Sequence, residues 1–543
     1  MKQFNRRNFL RCSAIATASL TLKSSRVAWT QPAMPGPLAT TTAGKISGAL
    51  IDGVNVFKGI PYGADTAKTR FKAPIPPAPW SNLLHCTRFT TMAPQLSPAR
   101  PFSAQAQRVA RDVGTESEDC LHLNVWTAGL RDHRKRPVLV YFHGGAYNNG
   151  TVNSDLYDGT RLVHRGDVVV VTVNHRLNAF GYLYLGNLSP EYAESGNAGQ
   201  LDLILALKWV KNNIEEFGGD PSRVLIFGQS GGGAKCATLM ATPAADGLFH
   251  RVMTMSGQQI KGASIEIAAD RAKTVLEKMG VMPGKSLTAQ LNALTMEQIQ
   301  NGARAVSADW LPVVDHVILA RNPFDPDAPM LSEKVPMILG NVHDETALSP
   351  RGADITWDNA AQALDTAVHQ YLGPYTAEQV VQKYREIYPS YTPDQVDTAA
   401  ATAFRAWPGQ RWEAERRAAN PKSQPHTWVY QMNFQGVNGK AMHTIDIPFM
   451  FDNIAMAEVQ VGSSPDRLAA ANALAATMSE MLIHYGRTGD PNFPGLPPWP
   501  AYDLKNRSTM IWERAPHIEN DPRSAERVFA DKSHYHQAGT PLP

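Results

Sequence analysis

A glycine-rich turn around Ser230 constrains the fold of this chain more than any other feature. Residues 228–233 read GQSGGG, directly after the apolar run VLIF at 224–227 and before a helical pattern. In a strand-to-helix turn of this kind the serine takes a strained backbone conformation, and flanking glycines let the turn close. The hydroxyl then projects from the carboxyl edge of a sheet, beside helix N–H groups that favour negative charge. An ordinary glycine turn is the alternative, but the preceding strand and the following helix favour a nucleophilic serine.

Short β-branched runs alternate with helical patterns along the chain, which is typical of a mostly parallel sheet covered by helices. Buried strands are predicted at 137–142, 168–173 and 223–227, and an amphipathic helix at 201–214. Segments 265–305 and 357–419 are rich in helical patterns, and we expect them to be insertions around an active-site gorge. No internal repeat or long linker separates these parts, so the sequence predicts one α/β domain with insertions.

A second glycine-rich segment reads YFHGGAY at 141–147 and follows the predicted strand 137–142. Only small residues let the backbone come close to a substrate, so this loop is suited to donate N–H groups to an oxyanion. Such donors contribute roughly 3–4 kcal/mol each in acyl transfer. A plain glycine turn with His143 as a structural residue is the alternative, and the nearby serine turn makes an oxyanion hole the favoured interpretation.

A nucleophilic serine on this turn requires an acid and a histidine later in the chain, in the order serine, acid, histidine. Glu345 follows the apolar run 335–339 and lies beyond a predicted strand end, with Asp344 beside it as an alternative acid. His443 lies in the segment 441–449, AMHTIDIPF. Any one of the 16 histidines could be structural, so order and context select His443.

The charge distribution argues against a nucleic-acid or membrane-surface protein. The net charge is +3, but six of the 52 basic residues lie among the first 28 positions, where no acidic residue occurs. The rest of the chain is slightly acidic and has no dense basic stripe, so it offers nothing to attract nucleic acid or anionic lipid.

The N-terminus has the pattern of an export signal. Residues 5–11 read NRRNFLR, and an acid-free, mildly apolar run follows at 12–22. This run is about half of the roughly 20 residues that a spanning helix needs, so we expect no permanent membrane anchor. The sequence predicts a twin-arginine signal at 1–35, a single domain at 36–543 and a periplasmic or secreted protein; a basic tail is the alternative.

The four cysteines are too few for a disulfide-built scaffold. Cys12 lies in the predicted signal, so at most one disulfide remains. Cys86 and Cys120 are the plausible pair, whereas Cys236 follows Ser230 on a predicted helix and is expected to be a small buried residue.

Several further blocks resemble those of the type-B carboxylesterase family, relatives of cholinesterases and of bacterial para-nitrobenzyl-type esterases. They are FKGIPY at 57–62, SEDCLHLNV at 117–125, VNHRL at 173–177, GNAGQLD at 196–202, FGGDP at 217–221 and GDPN at 489–492. The resemblance extends over nearly the whole chain beyond the predicted signal. It implies the α/β-hydrolase fold and hydrolysis of carboxylic esters through an acyl-enzyme.

The resemblance also implies roles for individual residues. Ser230 matches the nucleophile, Glu345 the acid and His443 the general base, and the N–H groups of Gly145, Ala146 and Gly231 match the oxyanion hole. Tyr147, Trp310 and Phe449 are candidates for the substrate pocket, or for core packing. The family implies a small-molecule ester substrate and no cofactor or metal.

The chain departs from the family pattern at four positions. Gln229 and Gly231 replace the glutamate and alanine of the usual G-E-S-A-G, Thr346 replaces a glycine after the acid, and Ala93 stands where the partner cysteine of Cys120 is usual. A looser oxyanion hole is therefore expected at Gly231. Hydrolysis of amides, carbamates or lactones with the same triad remains an alternative, as does a non-catalytic binding module on this fold.

Overall fold

The computed structural model contains the largely parallel sheet that the strand pattern predicts. It describes residues 36–96, 114–306, 310–347, 354–533, 535–537 and 539–540 of the chain. The predicted export signal at 1–35 lies outside the described residues. From Pro37 onward the chain forms one compact unit. Among the described residues, no helix is both long enough and apolar enough to cross a membrane.

The described residues form fourteen strands in two sheets. They are β1 Leu38–Thr40, β2 Lys45–Ser47, β3 Ala49–Ile51, β4 Val54–Pro61, β5 Leu84–His85, β6 His122–Thr127, β7 Arg136–Phe142, β8 Val169–Val173, β9 Gly219–Gln229, β10 Arg251–Met255, β11 Met337–Val342, β12 Thr427–Met432, β13 Ser508–Trp512 and β14 His517–Asn520. The large sheet has the order β14-β13-β12-β11-β10-β9-β7-β8-β6-β4-β3, and β1, β2 and β5 form a small separate sheet.

The centre of the large sheet is parallel and its edges are antiparallel. Strands β8, β7, β9, β10, β11, β12 and β13 pair in parallel with one another. On one side β14 pairs antiparallel with β13, and on the other β6, β4 and β3 continue the sheet in antiparallel pairs. All seven parallel strands therefore end at the same edge, which is where functional residues of such sheets gather.

The α-helices of the described residues cover both faces of this sheet. They are α1 Thr160–Gly166, α2 Asn178–Tyr182, α3 Ala198–Asn213, α4 Gly231–Met240, α5 Ile265–Lys278, α6 Leu287–Ala293, α7 Met296–Ala303, α8 Ala360–Val368, α9 Ala377–Ile387, α10 Pro393–Ala401, α11 Trp407–Ala419, α12 Ile447–Met450, α13 Glu458–Val461, α14 Pro465–Thr488 and α15 Ser524–Ala530. A π-helical turn, Thr402–Ala406, joins α10 to α11.

Alternation along the strands explains the two-sided core. On β7, Val138 and Val140 join one buried cluster with residues of α3, while Leu139 and Tyr141 join another with residues of α14. Successive side chains of a strand point to opposite faces, so a strand that is buried on both faces is a continuous apolar run. Helices α5 to α11 fill the two regions in which helical insertions were predicted.

The structure contains no disulfide between Cys86 and Cys120. Both are buried free thiols, as is Cys236. Cys86 follows β5 of the small sheet, whereas Cys120 precedes β6 of the large sheet. The pairing hypothesis therefore does not agree with the structure.

Candidate active site

Ser230 lies between the end of β9 and the start of α4, in the conformation that the turn motif predicts. Its φ and ψ angles are 57° and −126°, a strained combination for a residue with a side chain. Its N–H donates to the Met255 carbonyl oxygen at 2.7 Å. A Cβ atom on Gly232 would lie 2.0 Å from the Phe142 carbonyl oxygen, so the turn closes only with glycine there.

Glu345 and His443 meet at the same edge of the sheet. Glu345 follows β11 and His443 follows β12, the next strand of the sheet. His443 Nδ1 donates to Glu345 Oε2 at 2.5 Å, and Glu345 Oε1 accepts from the Val342 N–H at 3.0 Å and from Gln410 Nε2 at 3.1 Å. The glutamate is therefore held at both carboxylate oxygens.

Asp344, the alternative acid, faces other partners. Its carboxylate accepts a hydrogen bond from His343 Nδ1 at 2.9 Å and another from the Ala441 N–H at 2.8 Å. Its neighbour Glu345 holds the ring of His443, so the geometry favours Glu345 as the partner of the histidine.

The Glu345–His443 pair shifts the pKa of both groups. Burial lowers the pKa of His443, but the charge and hydrogen bond of Glu345, together with Asp446, outweigh it and raise the pKa above its ordinary value. Burial raises the pKa of Glu345, and the charge and hydrogen bond of His443 outweigh this and lower it. The pair therefore stabilises a protonated imidazole beside an ionised carboxylate.

Gln229 contacts the other nitrogen of the histidine. Its Nε2 lies 3.2 Å from His443 Nε2. Because the Nδ1 proton is donated to Glu345, Nε2 of the neutral ring is an acceptor, and Gln229 donates to it. This contact holds Nε2 of His443 against the serine turn, of which Gln229 is a part.

The loop after β7 presents two unengaged N–H groups. Gly145 and Ala146 have φ angles of 90° and 52°, and a positive φ is unusual for alanine. Among the described residues, neither N–H group donates a hydrogen bond. Gly231 opens α4, where an N–H group has no acceptor within the helix. Three donors for an oxyanion are thus available.

One cavity of about 850 Å³ is lined by Ser230, Glu345, His443, Ala146 and Gly231. Gly145 is not among its lining residues. Of the three pocket candidates, Tyr147 and Trp310 line it. Phe449 does not, because it lies on α12 in the core, with its ring centroid 5.0 Å from that of Phe434. The structure therefore supports core packing, the alternative that the sequence left open for Phe449.

Several polar residues of the site were missed by the sequence reasoning. The cavity lining includes the glutamines Gln258, Gln259, Gln362, Gln410 and Gln537. They come from segments far apart in the chain, and no spacing in the sequence marks them as a group. Lys235, on α4, contacts the oxyanion loop and was missed for the same reason.

Comparisons with known proteins agree with this architecture. The profile of the carboxylesterase family matches residues 35–530. The chain is 32% identical over 512 residues to para-nitrobenzyl esterase of Bacillus subtilis (strain 168), covering 91% of this chain and 98% of the relative. It is 28% identical over 504 residues to phenmedipham hydrolase of Pseudarthrobacter oxydans, covering 88% of this chain and 94% of the relative.

A solved structure supports the same assignment. A carboxylesterase of Geobacillus stearothermophilus superimposes with a TM-score of 0.77 at 33% identity, covering 91% of this chain and 99% of the other. The predicted fold and family are thereby confirmed. The chain therefore belongs to the carboxylesterase (type-B) family of hydrolases, as a para-nitrobenzyl esterase-like member with the α/β-hydrolase fold.

Proposed function

We propose that this protein hydrolyses small carboxylic esters through a triad of Ser230, His443 and Glu345 and an acyl-enzyme intermediate. The observation that carries the proposal is the 2.5 Å hydrogen bond from His443 Nδ1 to Glu345 Oε2 beside a strained serine at one cavity. The name of the Bacillus subtilis relative, para-nitrobenzyl esterase, supports an ester as substrate.

In the first half-reaction His443 Nε2 takes the proton of the Ser230 hydroxyl as its oxygen attacks the ester carbonyl carbon. The carbonyl oxygen becomes an oxyanion and accepts hydrogen bonds from the N–H groups of Gly145, Ala146 and Gly231. The bond to the alcohol oxygen then breaks, and the imidazolium gives its proton to the leaving alcohol. Ser230 is left acylated.

In the second half-reaction a water molecule takes the place of the alcohol. His443 accepts one of its protons while the water oxygen attacks the acyl carbon, and the same donors hold the oxyanion. The intermediate expels the serine oxygen, which regains its proton from the imidazolium, and the carboxylic acid leaves. Glu345 stabilises the imidazolium in both halves, consistent with the raised pKa of His443.

The test is hydrolysis of short-chain and long-chain para-nitrophenyl esters by the wild type and by Ser230→Ala, beside labelling with a fluorophosphonate probe. We expect turnover and labelling by the wild type and neither by the variant. A folded wild type that is neither labelled nor active would contradict the proposal and favour a binding module. Faster turnover of matched amides, carbamates or lactones would change the substrate class but keep the triad.

We also propose that residues 1–35 are a twin-arginine export signal and that the protein acts in the periplasm or outside the cell. The paired arginines, the acid-free apolar run and the slightly acidic remainder of the chain support this. Mass spectrometry of the N-terminus of protein from the periplasmic or culture fraction tests it. A full-length chain confined to the cytoplasm would contradict it.

A further inference from the structure

Lys235 is a buried lysine without an acidic partner among the described residues. Its side chain is fully buried on α4, five residues after Ser230. Its Nζ donates to the carbonyl oxygens of His143 at 3.1 Å and of Ala146 at 2.8 Å. An unpaired buried ammonium is destabilising. An apolar side chain of similar size would stabilise the fold more, so packing alone does not explain a lysine here.

The two carbonyl groups that Lys235 holds bracket the oxyanion donors. The loop from His143 to Tyr147 contains four peptide units. Lys235 binds the C=O groups of the first and the last unit, and the two units between them carry the N–H groups of Gly145 and Ala146. One ammonium therefore fixes both ends of the short segment that presents the donors.

Gly231 contacts the same loop from the same face of α4, because residues four apart lie one above the other on a helix. A Cβ atom at Gly231 would lie 2.3 Å from the Ala146 carbonyl oxygen and 2.5 Å from its Cα. Glycine thus lets Ala146 approach the helix, within reach of Lys235. The strained φ of 52° at Ala146 needs such restraint. This packing replaces the loose oxyanion hole that the sequence suggested at Gly231.

Resting on the proposed ester hydrolysis, we propose that Gly231 and Lys235 act together as a clamp on Ala146 that sets the geometry of the oxyanion hole. Lys235 is a positioning residue, because its ammonium binds the carbonyl groups of the loop and does not contact the oxyanion itself. Gly231 both donates its own N–H group and provides the space that the clamp requires.

The charges around Lys235 are consistent with a restraint that weakens at alkaline pH. Burial lowers the pKa of Lys235 to about 7. The titratable groups around it are His143, His175, Tyr147 and Cys236. Burial and then the charge of Lys235 lower the pKa of both histidines. No carboxylate among the described residues pairs with the ammonium, so deprotonation is not opposed by a counter-charge.

The main test is Lys235→Met, compared with Lys208→Met, which removes an exposed lysine of α3. The measurements are kcat and KM for a para-nitrophenyl ester, Ki for an alkyl trifluoromethyl ketone that forms an oxyanion on the serine, and Tm. For Lys235→Met we expect kcat to fall about 10- to 100-fold and Ki to weaken in proportion, with KM within about twofold. Lys208→Met should match the wild type in all four.

Gly231→Ala tests the other half of the clamp. It should lower kcat by a similar factor, and the double variant should lose much less than the product of the two single losses, because both act on Ala146. Unchanged kcat and Ki in Lys235→Met, or fully multiplicative losses, would overturn the clamp. An inactive wild type would instead overturn the proposed function, so the two failures are distinguishable.

A measurement on the wild type covers the case in which Lys235→Met does not fold. The ratio of Ki for the ketone at pH 6.5 to Ki at pH 9 is compared for the wild type and for Lys235→Arg, whose guanidinium keeps its proton. The wild type should bind the ketone relatively more weakly at pH 9 than the arginine variant does. An identical ratio in the two proteins would contradict the weakening of the restraint at alkaline pH, and unchanged kcat and Ki in Gly231→Ala would overturn the clamp itself.

Discussion

The side-chain amide of Gln229 lies 3.2 Å from Nε2 of His443, at a position where the related carboxylesterases usually carry glutamate. The amide is neutral, so in this protein Glu345 and Asp446 are the carboxylates that raise the pKa of the histidine. Glu345, which accepts the hydrogen bond from Nδ1, contributes more to the raised pKa of His443 than Asp446 does.

Gln229→Glu should shift the pH dependence of activity. A carboxylate beside Nε2 raises the pKa of His443 further, by about 1 unit, and the base works only when unprotonated. The acid limb of kcat/KM should therefore move to higher pH by about 1 unit, with a loss at pH 6 and little change at pH 9. Gln229→Leu is the control, since it removes the hydrogen bond without adding charge; the same shift there would contradict the electrostatic explanation.

Glu345→Gln should remove most of the activity while the fold is retained. The amide cannot stabilise the imidazolium and can favour the wrong tautomer of His443, so we expect kcat to fall about 10³- to 10⁴-fold. The matched control is Asp344→Asn at the neighbouring position, which should cost less than about fivefold. Active-site titration with a fluorophosphonate and a thermal melt separate lost chemistry from lost protein. Equal losses in the two variants would contradict the assignment of the acid.

Gln410→Leu should weaken the triad through Glu345. Gln410 donates a hydrogen bond to Glu345 Oε1 at 3.1 Å. Loss of a hydrogen bond to a buried charge should lower kcat about tenfold. Gln362 lines the same cavity without a hydrogen bond to the triad, so Gln362→Leu is the control. We expect the first variant to change kcat and the second to change KM alone; steady-state kinetics with one ester distinguish them.

The sequence predicted correctly those elements whose conformation is determined by a short local pattern. Strand β9, Gly219–Gln229, contains the predicted 223–227 and starts earlier because Gly219 also pairs with Arg136 of β7. The edge strand β14 and its neighbour β13, which pair antiparallel with each other, were not predicted individually. They depend on pairing with neighbours and not on a local apolar pattern.

Only those residues of the candidate site that belong to local motifs could be predicted from the sequence. The serine turn, the glycine loop and the acid each follow a strand end and carry a local signal. Phe449 has an apolar pattern that does not distinguish a core position from a pocket wall, and the structure places it in the core. Gln410 and Lys235 act through contacts made by distant segments, which no spacing in the sequence encodes.

Asp202→Ala should destabilise the whole fold. Asp202 is fully buried and forms an ion pair with Arg176 at 2.6 Å. Removing one partner leaves an uncompensated buried charge, which costs about 3–5 kcal/mol in free energy of unfolding. Asp220→Ala, which breaks a partly exposed pair with Arg223, should cost less than about 1 kcal/mol. Urea denaturation compares the two, and similar midpoints would contradict the argument.

Thiol titration should find no reactive cysteine in the native protein. Cys86, Cys120 and Cys236 are buried and free, and burial raises the pKa of Cys86 to about 12 and also raises that of the other two. Thiolate is the reactive form, so a disulfide reagent should label none of them below pH 8. In denaturant without reductant, the chain lacking residues 1–35 should show three thiols. A single thiol would mean that two of the three are joined in a disulfide and would contradict the free thiols of the structure.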